Sequence, residues 1–144
     1  MKVRFFLISG FLAVLVPGIA SAWCFEEAAR YHDVDASLLR AMAKVESRGN
    51  ARAVHKNENG TEDVCLMQIN SSNFDGLARY GITREKLLDD PCTCVQVGAW
   101  ILSEKIRRYG KTWRAVGAYN AKSENKRLQY VELVEKSLEG ERRK

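Results

Sequence analysis

Beyond residue 22 the chain is written almost throughout in the helical period, with apolar residues recurring three and four positions apart. The spacing predicts a short helix over Cys24 to Tyr31, with Phe25, Ala28 and Ala29 turned inward. Asp35 then caps a second helix running from Ala36 to Ser47. At about 100° per residue, Leu38, Leu39, Met42, Ala43 and Val45 share one apolar arc of that helix, and Glu46 falls near its middle. The pattern fails from Asn50 to Asp63. There Asn57-Glu58-Asn59-Gly60-Thr61 is turn chemistry and Asn59-Gly60 a hairpin signal, which predicts a small ribbon or an irregular loop. Leu66 to Asn70 leads into a helix around Ser72 to Tyr80, which Gly81 stops, and Thr83 caps a short piece over Arg84 to Leu88. Asp90 and Pro91 open a long helix, Asp as N-cap and Pro at the first helical position. Its stretch Val95 to Leu102 is apolar on almost all sides, the mark of a buried central helix. Gly110 ends it, Thr112 caps Trp113 to Tyr119, and Ser123 caps a last amphipathic helix with Val131, Val134 and Leu138 aligned. With no repeat, linker or low-complexity stretch, this is one mainly α domain with a minimal β-ribbon.

Glu46 is the position that needs a reason. Gly49 suits the left-handed conformation just past a helix end, so Glu46 lies in the last turn of its helix. Desolvation and the negative end of the helix dipole both disfavour the charged carboxylate and raise its pKa, which makes a general acid. The other reading is structural: the carboxylate reaches out to solvent, or Arg48 or Arg52 pairs with it.

The first 22 residues read as a secretory signal peptide. Lys2 and Arg4 form the charged start, Phe5 to Val16 is apolar, Pro17 and Gly18 break the run, and Ala20-Ser21-Ala22 is a small-x-small cleavage site. The run is short for a membrane span, and bulky Trp23 argues against a lipid anchor at Cys24. The expected mature domain is residues 23–144. The leader takes two of the 23 basic residues and none of the 18 acidic ones, leaving a net charge of +3. Basic and acidic residues interleave until Arg142-Arg143-Lys144, unlike the concentrated stripe of a nucleic-acid binder. Cys24, Cys65, Cys92 and Cys94 all lie in the exported part, and an even count in an oxidising compartment implies two disulfides. Four cysteines allow three pairings, and spacing argues only against Cys92 with Cys94. A metal site is the weaker reading, since there is no Cys-x-x-Cys and His32 and His55 fall at no ligand spacing.

Three segments stand together in order: Glu46-Ser47 at a helix end, Cys65-Leu66-Met67-Gln68-Ile69-Asn70, and Ala118-Tyr119-Asn120-Ala121. They resemble the catalytic domain of bacterial lytic transglycosylases, whose motifs are Glu-Ser, Gly-Leu-Met-Gln-Ile and Ala-Tyr-Asn-Ala-Gly. Asp90-Pro91-Cys92 and Val116-Gly117-Ala118-Tyr119-Asn120 look further like the small specialised members found with type III secretion, conjugation and pilus systems. The resemblance implies a lysozyme-like fold and cofactor-free cleavage of the β-1,4 bond between N-acetylmuramic acid and N-acetylglucosamine, closing a 1,6-anhydro ring. It implies Glu46 as acid and then base, Gln68 on the sugar, and Tyr119 approaching Glu46 from the facing helix. Met67, Ser47 and Asn120 would support the same pocket. Met67 and Tyr119 could equally be core side chains, and Gln68 a cap of the following helix.

Asp63 has two readings. In resembling secretion-associated members an Asp just before this segment faces the catalytic Glu and stabilises positive charge, whereas a turn Asp would bond its own backbone. The chain departs from the family pattern at Cys65, where Gly is usual, and at Lys122, in place of the Gly after Ala-Tyr-Asn-Ala. Cys24 and Cys92 sit where the resembling enzymes place their pair, which implies Cys24 with Cys92 and leaves Cys65 to meet Cys94. The expectation is a periplasmic monomer acting on peptidoglycan glycan strands, with no nucleic acid and no stable membrane insertion, serving a secretion, conjugation or pilus apparatus. The rivals are a lysozyme-type hydrolase using Glu46 and Asp63 with water, and a wall-binding assembly factor without turnover.

Overall fold

The computed structural model describes residues 17–143, with side chains from Cys24 onward. The charged start and apolar run of the expected leader lie outside the described residues. The first helix, α1 (Pro17–His32), begins upstream of the expected Cys24 start and ends one residue beyond Tyr31. Proline at its first position carries no N–H to leave unpaired, and the small residues that follow continue the helix. After it come α2 (Ala36–Ser47), the strands β1 (Val54–Lys56), β2 (Glu62–Val64) and β3 (Ile69–Asn70), and a 3-10 turn over Ser71–Asn73. The chain closes with α3 (Phe74–Ala78), α4 (Arg84–Asp89), α5 (Pro91–Tyr109), α6 (Trp113–Asn120) and α7 (Glu124–Arg142).

Capping chemistry sets most of the helix starts. Asp35 accepts a hydrogen bond from the Leu38 amide at 2.8 Å, Thr83 from Lys86 at 3.2 Å, and Asp90 from both Cys92 and Thr93. Thr112 and Ser123 depart from expectation, since neither side chain caps its helix. The Thr112 hydroxyl instead donates back to the Tyr109 carbonyl at 3.1 Å.

α5 is the central helix, burying Cys94, Val95, Val97, Gly98, Ala99 and Leu102. α1 and α6 pack on it, while α7 packs on α6 and on α2. Gly98 has a specific packing role: a Cβ there would lie 2.8–2.9 Å from Cγ and Cβ of Met67, so its absence lets the segment after β2 press against α5. The ribbon is a three-stranded antiparallel sheet in the order β1-β2-β3, with Asp63 of β2 opposite His55 on one side and Asn70 on the other. Asn57 and Thr61 close the hairpin tip, with Gly60 at φ 81°. Arg84 of α4 holds Glu62 of β2 through two bonds of 2.6 and 3.0 Å, tying the ribbon to the helical body.

Both disulfides join the expected partners. Cys24–Cys92 fastens α1 to the start of α5, and Cys65–Cys94 fastens the ribbon to the same helix, with Cα separations of 5.2 and 6.3 Å. Cys65 has φ 66°, the left-handed region where glycine is at ease and an L side chain costs about 1–2 kcal/mol. The glycine of the family pattern therefore marks a backbone need, which this chain meets with a tethered cysteine. The Cys65–Cys94 bridge closes a loop of 29 residues. Replacing both cysteines by alanine is expected to lower stability by about 3 kcal/mol, read from urea midpoints against the oxidised parent, through the freed unfolded chain.

Candidate active site

Helix α2 delivers Glu46 because its apolar face carries Leu39, Met42 and Ala43 into the core and leaves the last turn at the edge of a cleft. Gly49 has the positive φ expected of it, 83°, and Arg48 before it is left-handed too, at φ 55°, its amide bonding the Lys44 carbonyl at 3.0 Å. Neither expected arginine neutralises Glu46. Arg52 forms its ion pair with Asp89, and Arg48 makes no ion pair among the described residues. Burial instead pushes the Glu46 carboxyl up to about 7, with the negative charge of Asp63 adding to the rise. Its one side-chain hydrogen-bond partner among the described residues opposes this: the Tyr130 hydroxyl of α7 donates to Oε1 at 2.6 Å and favours the ionised form.

Tyr130 is the site residue that sequence reasoning missed. It is 4% exposed and shares the inner face of α7 with Val134 and Leu138. The spacing 130, 134, 138 was the available signal; Val131 also fits an apolar stripe but is only half-buried. Tyr119 reaches the cleft from α6. Its hydroxyl donates to the Met67 carbonyl at 2.8 Å, while its ring lines the same cleft as Glu46. The phenol titrates well above its ordinary range because it is desolvated and faces the charges of Glu46 and Asp63.

The cleft encloses about 1480 Å³ and brings together Glu46, Ser47, Asp63, Gln68, Tyr119 and Asn120. Met67 is the correction. It is fully buried under Gly98, so its side chain belongs to the core and only its carbonyl serves the site, as the acceptor for Tyr119. A motif match cannot tell which residue of a tight turn faces in. Gln68, left-handed at φ 49°, turns back on its own loop, its amide nitrogen donating to the carbonyls of Cys65 at 3.0 Å and Ala53 at 3.3 Å. That orientation leaves the amide oxygen without a partner among the described residues. Asp63 is neither in a turn nor bonded to its own backbone. It stands in the middle strand, and Asn57 and Asn70 donate to its two oxygens at 2.9 and 2.8 Å. Ser47 bonds back to the Ala43 carbonyl. Among the described residues no group of His, Cys, Asp and Glu side chains is arranged to hold a metal ion.

The arrangement is thus a carboxyl whose pKa burial lifts to about 7 beside an oriented, hydrogen-bonded carboxylate, on the two sides of one cleft. Because the fold favours neutral Glu46 and the unfolded chain does not, the protein loses stability relative to its Glu46→Gln variant as pH rises from about 4.5 through about 7. The full loss is roughly 3 kcal/mol above that window, with none below it, measurable by denaturant unfolding at several pH values. Tyr130→Phe removes the one contact that favours the ionised form. It is expected to move the alkaline limb of activity upward by about one pH unit and to lower the maximal rate.

With this geometry in view, comparison with known proteins is specific. The profile described as Transglycosylase SLT domain matches residues 23–136. Protein IpgF of Shigella flexneri is 38% identical over 127 residues, covering 85% of this chain and 84% of that protein. Invasion protein IagB of Salmonella typhimurium is 41% identical over 118 residues, covering 81% and 74%. The X-ray structure of an inactive mutant of lytic transglycosylase Slt from Pseudomonas aeruginosa superposes with a TM-score of 0.65 at 19% identity. That match covers 81% of this chain and 23% of the larger one, and shows the lysozyme-like fold that the sequence implied. The chain belongs to the transglycosylase SLT domain family, the lytic transglycosylases of peptidoglycan.

Proposed function

We propose that this protein cleaves the β-1,4 bond between N-acetylmuramic acid and N-acetylglucosamine and closes a 1,6-anhydro ring on the muramyl sugar. The observation that carries the reading is Glu46, a carboxyl in the cleft, bonded by Tyr130 and pushed by burial up to about 7. In the first step it gives its proton to the departing glycosidic oxygen as the bond to the anomeric carbon breaks. The carboxylate left behind then takes the proton of the muramyl C6 hydroxyl as that oxygen bonds to the same carbon, so one residue serves as acid and base in turn. The positive charge between the steps is met by the substrate's own N-acetyl group, a departure from the usual two-carboxylate scheme.

Gln68 offers its free amide oxygen to the sugar, with Ser47 and Asn120 on the same walls. Tyr119 braces the loop that carries Gln68. Asp63 supports the positive charge at a distance, its oxygens fixed by Asn57 and Asn70. That same carboxylate favours a second reading, hydrolysis by water in the manner of a lysozyme. The two differ in product, not in acid.

We place the protein in the periplasm, where an exported chain meets its wall. A role in opening that wall for a trans-envelope apparatus is supported by the relative named an invasion protein. Among the described residues no helix is long and apolar enough to cross a membrane. The deciding measurement is mass spectrometry of fragments released from purified sacculi. Anhydromuropeptides are expected from the parent, with release at least about 100-fold lower from Glu46→Gln. Reducing-end products would establish hydrolysis instead, and no release would favour a binding protein.

A further inference from the structure

The cleft carries a charge pattern that the bond-breaking chemistry does not use. Arg48 and Lys56 line it from the α2 and ribbon side, and Lys122 and Lys126 from the α6–α7 side. All four are exposed, and none makes an ion pair among the described residues. The carboxylates facing them are Glu58, Asp63 and Glu46. Asp63 is already engaged by two amides, and Glu46 is neutral over the lower half of the working range. The lining of the cleft therefore carries a net positive charge.

Lys122 and Lys126 are more than mobile surface charges, because the backbone between them is fastened. The Ala121 amide bonds the Gly117 carbonyl at 3.2 Å, and the Arg127 guanidinium donates to the Ala121 carbonyl at 2.9 Å. The Arg127 amide in turn bonds Ser123, at 3.1 Å. Gly117 lets α7 come close enough for this, since a Cβ there would lie 2.9 Å from Cβ of Arg127. Glu124, the nearest carboxylate in sequence, turns to Arg127 at 3.7 Å and leaves both lysines free. Two ammonium groups thus project from a fixed corner into the lip of the cleft, three and seven residues beyond Tyr119. Lys122 also stands where the family pattern has a glycine with no side chain at all.

We propose that Lys122 and Lys126 bind the free carboxylates of the peptides attached to the muramyl sugars, and so favour peptide-bearing strands over glycan that carries no carboxylate. This rests on the proposed reading of the cleft as a peptidoglycan site. On peptide-bearing strands the lactyl carboxyl of each muramyl sugar is tied up as the amide that holds the peptide, so the free carboxylates such a lip can read lie on the peptides. Exposed pairs of this kind are individually weak, and their combined effect is a bias between substrates of about five- to tenfold.

The test uses the full protein carrying Glu46→Gln, so that binding is measured without turnover. Its ligands are soluble glycan strands with peptides intact and chito-oligosaccharides of the same length, which carry no carboxylate. Lys122→Gln with Lys126→Gln is expected to weaken binding to the peptide-bearing strands about five- to tenfold and to leave binding to the chito-oligosaccharides unchanged. Lys122→Arg with Lys126→Arg keeps the preference, and added salt erodes it. Equal loss on both ligands, or loss on neither, overturns the proposal. If the parent binds neither ligand, the reading of the cleft falls and this proposal with it.

Discussion

One hydrogen bond, from the Tyr130 hydroxyl to Glu46, is where the architecture converges. A carboxyl at the C-terminal end of a helix, half out of water, has two uncomfortable choices: to ionise without a cation, or to stay neutral without a fixed direction. Tyr130 gives the group a direction while burial keeps the proton on. That contact spans 84 residues of sequence. It exists because α7 packs on both α2 and α6, and the close α6–α7 approach at Gly117 is part of the same geometry. Most of the C-terminal third of the chain can be understood as the means of bringing one phenol to one carboxyl.

The opposite wall is built on a different principle. A ribbon of three very short strands has little core of its own, so it borrows rigidity from outside. Arg84 grips Glu62, the Cys65–Cys94 bridge holds the turn after β2, and Tyr119 bonds the Met67 carbonyl. Two successive anchors thus surround Gln68, itself in a left-handed conformation whose cost is borne by the surrounding bonds. A helix supplies the carboxyl with the raised pKa, and a clamped irregular loop supplies the contacts around it.

Much of this was legible in the sequence, and the reasons for the rest are physical. Glu46 announced itself by standing in an apolar arc, and Asp35, Thr83 and Asp90 by cap chemistry that depends only on neighbouring residues. The cysteine pairing came through family resemblance, since spacing excluded only Cys92 with Cys94 and left two pairings open. What escaped was long-range or orientational. Tyr130 looked like any buried aromatic in a helical stripe, because nothing local says what its hydroxyl meets. Met67 shared a motif with Gln68, yet side-chain direction in a left-handed turn sends one into the core and the other towards the cleft. Thr112 and Ser123 had the right chemistry for caps, but the backbone entering α6 and α7 did not present it to the helix amides.

The bridge at Cys65 also bears on when the cleft is finished. Where thiols stay reduced, the left-handed cysteine keeps its conformational cost and loses its tether, so the loop bearing Gln68 is released from α5. Oxidation restores it. The second bridge, to Cys24, does the same for the N-terminal helix. A chain whose two bridges both end in the first turn of α5 gains its final shape at one spot on one helix, once its thiols are oxidised. Its cleft is thereby coupled to the redox state of its surroundings: the same covalent step that completes the fold fixes the loop that carries Gln68.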